Sequence, residues 1–268
     1  MESAEASLTG EALDAAAEAL IERATKPRRR ARPRLAEQLK DAEDHQVETP
    51  AGPVIAWRLG QGPAVLLVHG WEDDNALWGP MIDRLQANGR PVIAFDLPGH
   101  GFSPAELTSP GAAGEAVTAV AEALGPVEAV IGHSFGCVAL TMALDAGLDV
   151  ERAVLIASPI PRTRGRSLDR ALEGEAPEVA ARVREIMAAR QAAASPVFDM
   201  EAAVARLTAK ALIVHAMDDE ECPPGNARLI ADAWPGAELM WVDGLGHRRV
   251  AQDSDVIQRA ADFVDGIG

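Results

Sequence analysis

Tyrosine is missing from this chain altogether, and phenylalanine and tryptophan contribute only five residues each. A core built from such a sequence must be aliphatic, drawn from a composition that is 48% hydrophobic. The two cysteines, Cys137 and Cys222, are too few for a disulfide framework, and their 85-residue separation fits no C-x-x-C metal or redox pattern. They are expected to be buried small hydrophobes. A surplus of positive charge is missing too. The net charge of −16 argues against the concentrated cationic face that phosphate binding requires, so nucleic acid is not expected as a partner. No apolar run approaches the roughly 18 residues of a membrane span, so no stable membrane insertion is expected. The stretch Met1 to Glu5 lacks the basic-then-apolar order of a secretory signal, and a cytoplasmic location is the expectation.

What is present is enough for one α/β domain with an insertion. Residues 1 to 24 hold six acidic side chains and one arginine among many alanines, with Leu8, Leu13, Leu20 and Ile21 making one weak apolar stripe. Lys26 to Arg34 follows as a basic run, and residues 26 to 40 carry net charge +6 against −5 for residues 1 to 24. The expectation is a solvated linker or an electrostatic clasp between the two stretches. Residues 1–45 are therefore read as an N-terminal helical and basic extension, and 46–268 as the domain.

From residue 46 the period becomes that of strands. Gln46 to Thr49 and Val54 to Leu59 flank a turn and predict an antiparallel hairpin. Ala64 to His69, Pro91 to Asp96, Val127 to Ile131, Ala153 to Ala157 and Ala211 to His215 are near-continuous apolar runs, as strands buried on both faces require. Helical patterns stand between them, at Asn75 to Asn88, Pro110 to Leu124, Cys137 to Leu144 and Pro223 to Trp234. Ala237 to Val242 predicts a last strand and Asp253 to Val264 a closing helix. This alternation specifies a mostly parallel central sheet with helices on both faces. The long gap between the strands at 153 and 211 marks an insertion, a short helical lid over about 159–207.

Reactive groups in such sheets gather at the carboxyl ends of the strands. There the sequence has Gly70-Trp71, Asp96, Ser134, Ser158, Asp218-Asp219 and, after the last strand, His247. Ser134 lies in Gly132-His133-Ser134-Phe135-Gly136, between an apolar strand and a helix, the pattern of a strained turn that lifts a serine clear of the sheet. A serine hydroxyl is a poor nucleophile unless a histidine takes its proton, and a carboxylate must hold that histidine in the right tautomer. His247 supplies the first need, and Asp218 or Asp219 the second. The developing oxyanion requires preorganised donors, for which the candidates are the backbone N–H groups of Phe135 and Trp71. Cofactor and metal are not expected, because no metal-ligand spacing occurs around His69, His133 or His215.

Leu67-Val68-His69-Gly70-Trp71, Phe95 to Gly101, Gly132 to Gly136, His215 to Asp219 with Pro223, and Gly244-Leu245-Gly246-His247 together resemble the successive motifs of α/β-hydrolase-fold serine hydrolases. The resemblance covers about residue 47 to the end. It implies the α/β-hydrolase fold, a triad of Ser134, Asp219 and His247, and hydrolysis of a carboxylic ester or related acyl bond of a small-molecule substrate. Asp219 is selected because the family's acid usually stands four residues after the strand-ending histidine and four before a proline. The alternatives are a C–C bond hydrolase on the same triad, or a non-catalytic binding protein using the cleft. Trp71, Trp78, Phe102, Phe135, Ile186 and Met187 are candidates for an acyl pocket or for the core. Arg162, Arg164, Arg166 and Arg170 are candidates for a solvated face or a carboxylate site. The acidic run Glu72 to Asp74 is expected to be a solvated lead into a helix.

Overall fold

The computed structural model describes residues 10–28, 33–161, 172–193 and 198–267. The chain forms two compact units, Met1–Lys26 with Pro161–Phe198, and Pro27–Ile160 with Asp199–Gly268.

The second unit contains an eight-stranded sheet of order β1-β2-β4-β3-β5-β6-β7-β8. Its strands are β1 (Asp44–Val47), β2 (Val54–Leu59), β3 (Ala64–Val68), β4 (Val92–Phe95), β5 (Val127–His133), β6 (Arg152–Ile156), β7 (Lys210–Ala216) and β8 (Glu238–Val242). β1 and β2 pair antiparallel, as does β2 with β4, and every pair from β4 to β8 is parallel. The predicted hairpin and the predicted parallel sheet are both present. β3 and β4 are buried along their whole length, whereas β8 is partly open at the sheet's edge.

Successive side chains on a strand point to opposite faces, and the burial follows that rule. Val65 and Leu67 of β3, Val92 and Ala94 of β4, Ala129 and Ile131 of β5, Val154 and Ile156 of β6, and Leu212 and Val214 of β7 share one cluster. They meet Met81, Ile82 and Leu85 of α2 (Gly79–Ala87) and Val256, Ile257, Ala260 and Phe263 of α9 (Ser254–Val264) there. The opposite face carries α3 (Pro110–Leu124) and α4 (Phe135–Asp145), which pack on one another. Helix starts follow local chemistry. Ser109 Oγ accepts from Ala112 N–H with Pro110 in the first turn, and Asp253 accepts from the N–H groups of Asp255 and Val256. The predicted helix from Asn75 divides into a 3₁₀ turn, Asn75–Trp78, and α2.

In the first unit, α1 (Glu11–Thr25) packs on α5 (Pro177–Ala193). Leu13, Ala16, Ala17, Leu20 and Ile21 recur at helical spacing and meet Val179, Ala180, Val183, Ile186 and Met187, which repeat the same spacing. Ile186 and Met187 thus flank an apolar seam between helices. Asp14–Arg182 at 2.6 Å, Glu18–Arg190 at 2.6 Å and Arg23–Glu175 at 2.9 Å line its rim. All are exposed, so solvent screening leaves each a weak contributor to stability. The acidic helix pairs with Arg182 and Arg190 of α5, the neighbour its apolar stripe meets; Arg29, Arg30 and Arg32, on which the clasp expected between residues 1–24 and the basic run depends, lie outside the described residues. Arg162, Arg164, Arg166 and Arg170 lie outside the described residues, as does Leu8.

The insertion into the sheet unit spans Pro161–Phe198. Beyond it, α6 (Met200–Val204), capped by Asp199, packs on α4 and on α7 (Gly225–Ala233) within the sheet unit. No helix among the described residues is long and apolar enough to cross a membrane.

Candidate active site

β5 ends at His133 and α4 begins at Phe135, so a single residue, Ser134, makes the whole turn. Its φ of 50° and ψ of −121° lie where an L-residue is strained by about 1–3 kcal/mol. The strain is held by a hydrogen bond from Ser134 N–H to the Ile156 carbonyl (2.9 Å) and one from Cys137 N–H to the Ser134 carbonyl (2.9 Å). Glycine is required on both sides for different reasons. A Cβ at 132 would strike Leu140 and the Cys137 backbone of α4, and a Cβ at 136 would strike the Val68 and His69 carbonyls at the end of β3.

His247 arrives on α8 (Gly246–Arg249), entered through Gly244 and Gly246, both at positive φ. The Ser134 Oγ lies 2.8 Å from His247 Nε2, and His247 Nδ1 lies 2.8 Å from Asp219 Oδ2. With a carboxylate facing Nδ1, that nitrogen carries the proton and Nε2 is free to accept from the serine hydroxyl. The structure therefore brings Ser134, His247 and Asp219 into one chain of hydrogen bonds. Asp218 is not in it, and its Oδ1 accepts from Gly246 N–H at 3.1 Å, at the approach to His247.

Asp219 Oδ1 accepts from the N–H groups of Glu221 (2.8 Å) and Cys222 (2.7 Å). Burial by itself would favour its neutral form, but hydrogen bonds from His215, His247 and the Cys222 N–H outweigh that and hold it well below the usual carboxylate range. Among the described residues, Asp219, Cys222 and His247 form the one group whose donor atoms approach closely enough to hold a metal ion, all within 4.8 Å. Both carboxylate oxygens are already engaged, so an ion there would have to displace the hydrogen bond to His247. Cys137 and Cys222 are both free thiols and both buried.

Beside these three residues stands His133, whose Nε2–H donates to the His247 carbonyl (2.9 Å). Burial and the neighbouring His247 depress its pKa to about 3, so it is a neutral strut at ordinary pH. His69 is likewise tautomerically fixed. It accepts from Leu97 N–H at Nε2 (3.0 Å), and its Nδ1–H donates to the Gly70 carbonyl (2.8 Å). These histidines serve as buried hydrogen-bonding groups.

The backbone N–H of Phe135 is the first of α4, one of the donors for which a helix has no internal acceptor. Trp71 follows β3 on the adjacent loop, and its ring meets that of Phe135 edge to face at 5.4 Å. Asp96 organises this loop, a part that sequence reasoning left without a role. Its carboxylate accepts from Asn75 N–H (2.7 Å), Asn75 Nδ2 (3.1 Å) and Phe102 N–H (2.8 Å), and Ser103 Oγ donates to its carbonyl. A Cβ at Gly101 would strike the carboxylate. The detectable signal was a polar residue ending a buried strand ahead of a Gly-His-Gly turn. Trp78 is core, packed within the α2 and α9 layer. Phe102 is 41% exposed, its ring 5.7 Å from Trp57.

The acidic run differs from expectation. Asp73 and Asp74 are buried rather than solvated, and Arg34 reaches them at 3.3 and 3.1 Å. Glu72, at a φ of 56°, takes Arg28 at 2.8 Å. The basic run supplies the neutralising charge, which is why carboxylates can be buried next to Trp71.

A family model described as the alpha/beta hydrolase family matches residues 65–265. A pimeloyl-[acyl-carrier protein] methyl ester esterase of Xanthomonas campestris pv. campestris is 27% identical over 242 residues, covering 75% of this chain and 94% of that one. The protein of the same name from Vibrio parahaemolyticus is 40% identical over 107 residues, 39% of this chain and 40% of that one. Among solved structures, the esterase RhEst1 from Rhodococcus sp. ECU1013 superposes with a TM-score of 0.67 at 22% identity, covering 84% of this chain and 99% of that one. The Pyrococcus furiosus esterase Pf2001 gives 0.69 at 17% identity, covering 90% and 96%. The structural likenesses establish the fold, and the family match spans three quarters of the sequence: the chain belongs to the alpha/beta hydrolase family.

Proposed function

We propose that the protein hydrolyses a carboxylic ester through a covalent acyl-Ser134 intermediate. The observation that carries this reading is the pair of 2.8 Å hydrogen bonds linking Ser134, His247 and Asp219 above a strained turn. As Ser134 Oγ bonds to the acyl carbon, its proton passes to His247 Nε2, and Asp219 stabilises the resulting imidazolium. The carbonyl oxygen takes up the negative charge and is met by the N–H groups of Trp71 and Phe135. The C–O bond to the leaving group then breaks, and His247 returns the proton to the departing alkoxide. Water attacks the acyl-serine by the same route in reverse, giving a carboxylic acid and free Ser134. Asp219 stays ionised throughout, as its depressed pKa favours.

An ester, rather than a C–C bond, is supported by the curated relatives, which carry the name of a methyl ester esterase acting on a carrier-bound acyl chain. The same names favour an acyl methyl ester as the first substrate class to assay. An active-site-directed fluorophosphonate should label the wild-type protein, and Ser134→Ala should abolish labelling while lowering ester turnover by about 10³-fold or more. Folded wild-type protein that stays unlabelled would overturn the reading.

A further inference from the structure

We propose that His215 is a positioning residue of the triad, its Nε2–H shared between the Cys222 carbonyl and the Asp219 carboxylate so as to fix the acid that orients His247. The inference rests on the acyl-serine reading given above.

His215 lies at the end of β7, beside Trp241 in the register with β8, and its ring is fully buried. Nε2 stands 3.1 Å from the Cys222 carbonyl and 3.3 Å from Asp219 Oδ2, while Nδ1 has no hydrogen-bond partner among the described residues. The Trp241 ring, 6.4 Å away, is an apolar neighbour. A buried imidazole with acceptors on one nitrogen and none on the other is most stable as the neutral Nε2–H tautomer, because a cation would strand its second proton without an acceptor.

This arrangement pins the turn from Asp219 to Cys222 at both ends. Cys222 N–H donates to Asp219 Oδ1, and Cys222 C=O accepts from His215. The carboxylate cannot rotate without breaking the bond from Cys222 N–H, and Cys222 is itself held by His215. Oδ2 in turn lies between two imidazoles, His247 at 2.8 Å and His215 at 3.3 Å. A donor on the His215 side withdraws negative charge that would otherwise face His247. Loss of that donor leaves Asp219 richer in charge and His247 more basic. Among the described residues, the other titratable or charged groups around the pair are His133 from β5, Glu221 and Cys222 in the turn, Asp218 beside it, Arg228 over the Trp241 ring, and Arg248 on α8, which lies 3.6 Å from Glu221. None of these changes in the test.

The experiment measures kcat/KM against pH for wild type, His215→Leu and His215→Gln, using a p-nitrophenyl ester. Leucine fills the space without a donor, and glutamine places an amide N–H near the former Nε2. The expected result for His215→Leu is a kcat lowered about tenfold or more with KM little changed, and an acid-limb midpoint raised by about half a pH unit. Glutamine should restore both. A role confined to packing would lower activity or stability without moving the midpoint, and an unmoved or lowered midpoint overturns the proposal. Long-range ¹⁵N–¹H correlation spectra of the wild type decide the matter even where the leucine variant fails to fold. His215 should be the Nε2–H tautomer, and an Nδ1–H tautomer or an imidazolium overturns its role. Fluorophosphonate labelling of the wild type in the same series separates the two failures. Labelled protein with an unmoved midpoint removes only the role of His215, whereas unlabelled protein removes the acyl-serine reading and this inference with it.

Discussion

Two aspartates stand side by side at the end of β7, and one backbone rotation separates their fates. Asp219 turns inward to four donors, whereas Asp218 caps the approach to His247 through Gly246 N–H. Asp219→Asn should therefore reduce kcat by about 10³–10⁴, and Asp218→Asn by far less, read from initial rates on one ester; equal losses would refute the assignment. Local spacing could not separate these neighbours, since each follows the strand, and resemblance to a family was needed to prefer one. A second consequence concerns acid. His133 titrates near 6.5 when unfolded and at about 3 when folded, so the native state binds fewer protons between those values. Stability from keeping His133 neutral is complete above pH 6.5 and declines as pH falls toward 3, at up to about 1.4 kcal/mol per unit. Urea midpoints across that range should fall less steeply in His133→Gln than in the wild type, and parallel slopes would exclude His133 as the cause.

At the level of elements, strands were the most legible part of the sequence. A strand buried on both faces must be apolar at every position, and β3 to β7 were visible as such runs without any knowledge of their partners. The short helices α6 and α8 were not, because four or five residues make too little periodicity to detect. The apolar stripe of α1 was legible, but its partner was not: α5 lies some 150 residues away, and a stripe does not say which other stripe it will meet. The seam they form is small, with Leu20 and Val183 buried at its centre. Leu20→Ala should cost about 2–5 kcal/mol locally, enough to open this helix pair to protease. Limited proteolysis followed by mass spectrometry should show new cleavages within α1 and α5, and an unchanged digest would mean that the seam contributes little.

Across the molecule, acidic side chains outnumber basic ones 41 to 25, and Arg28 and Arg34 of the basic run are drawn to the carboxylates following Trp71. The remaining surface repels itself, and screening should relieve that repulsion more than it weakens a few exposed ion pairs. Raising sodium chloride from 10 to 200 mM should therefore raise Tm by about a few degrees. A fall in Tm would indicate that local pairs dominate. Screening acts on the surface and leaves untouched a close backbone approach in the sheet unit, where α4 rests on the end of β3 at Gly136. One element carries the Phe135 N–H, and the other runs directly into the loop of Trp71. The gap between those two N–H groups is thus gauged by a missing methyl group, in the manner of a machined spacer. It should stay constant through every motion that leaves the sheet intact, so in the proposed mechanism changes in which esters are accepted must come from the walls around the site while the spacing of the two proposed oxyanion donors keeps a single setting.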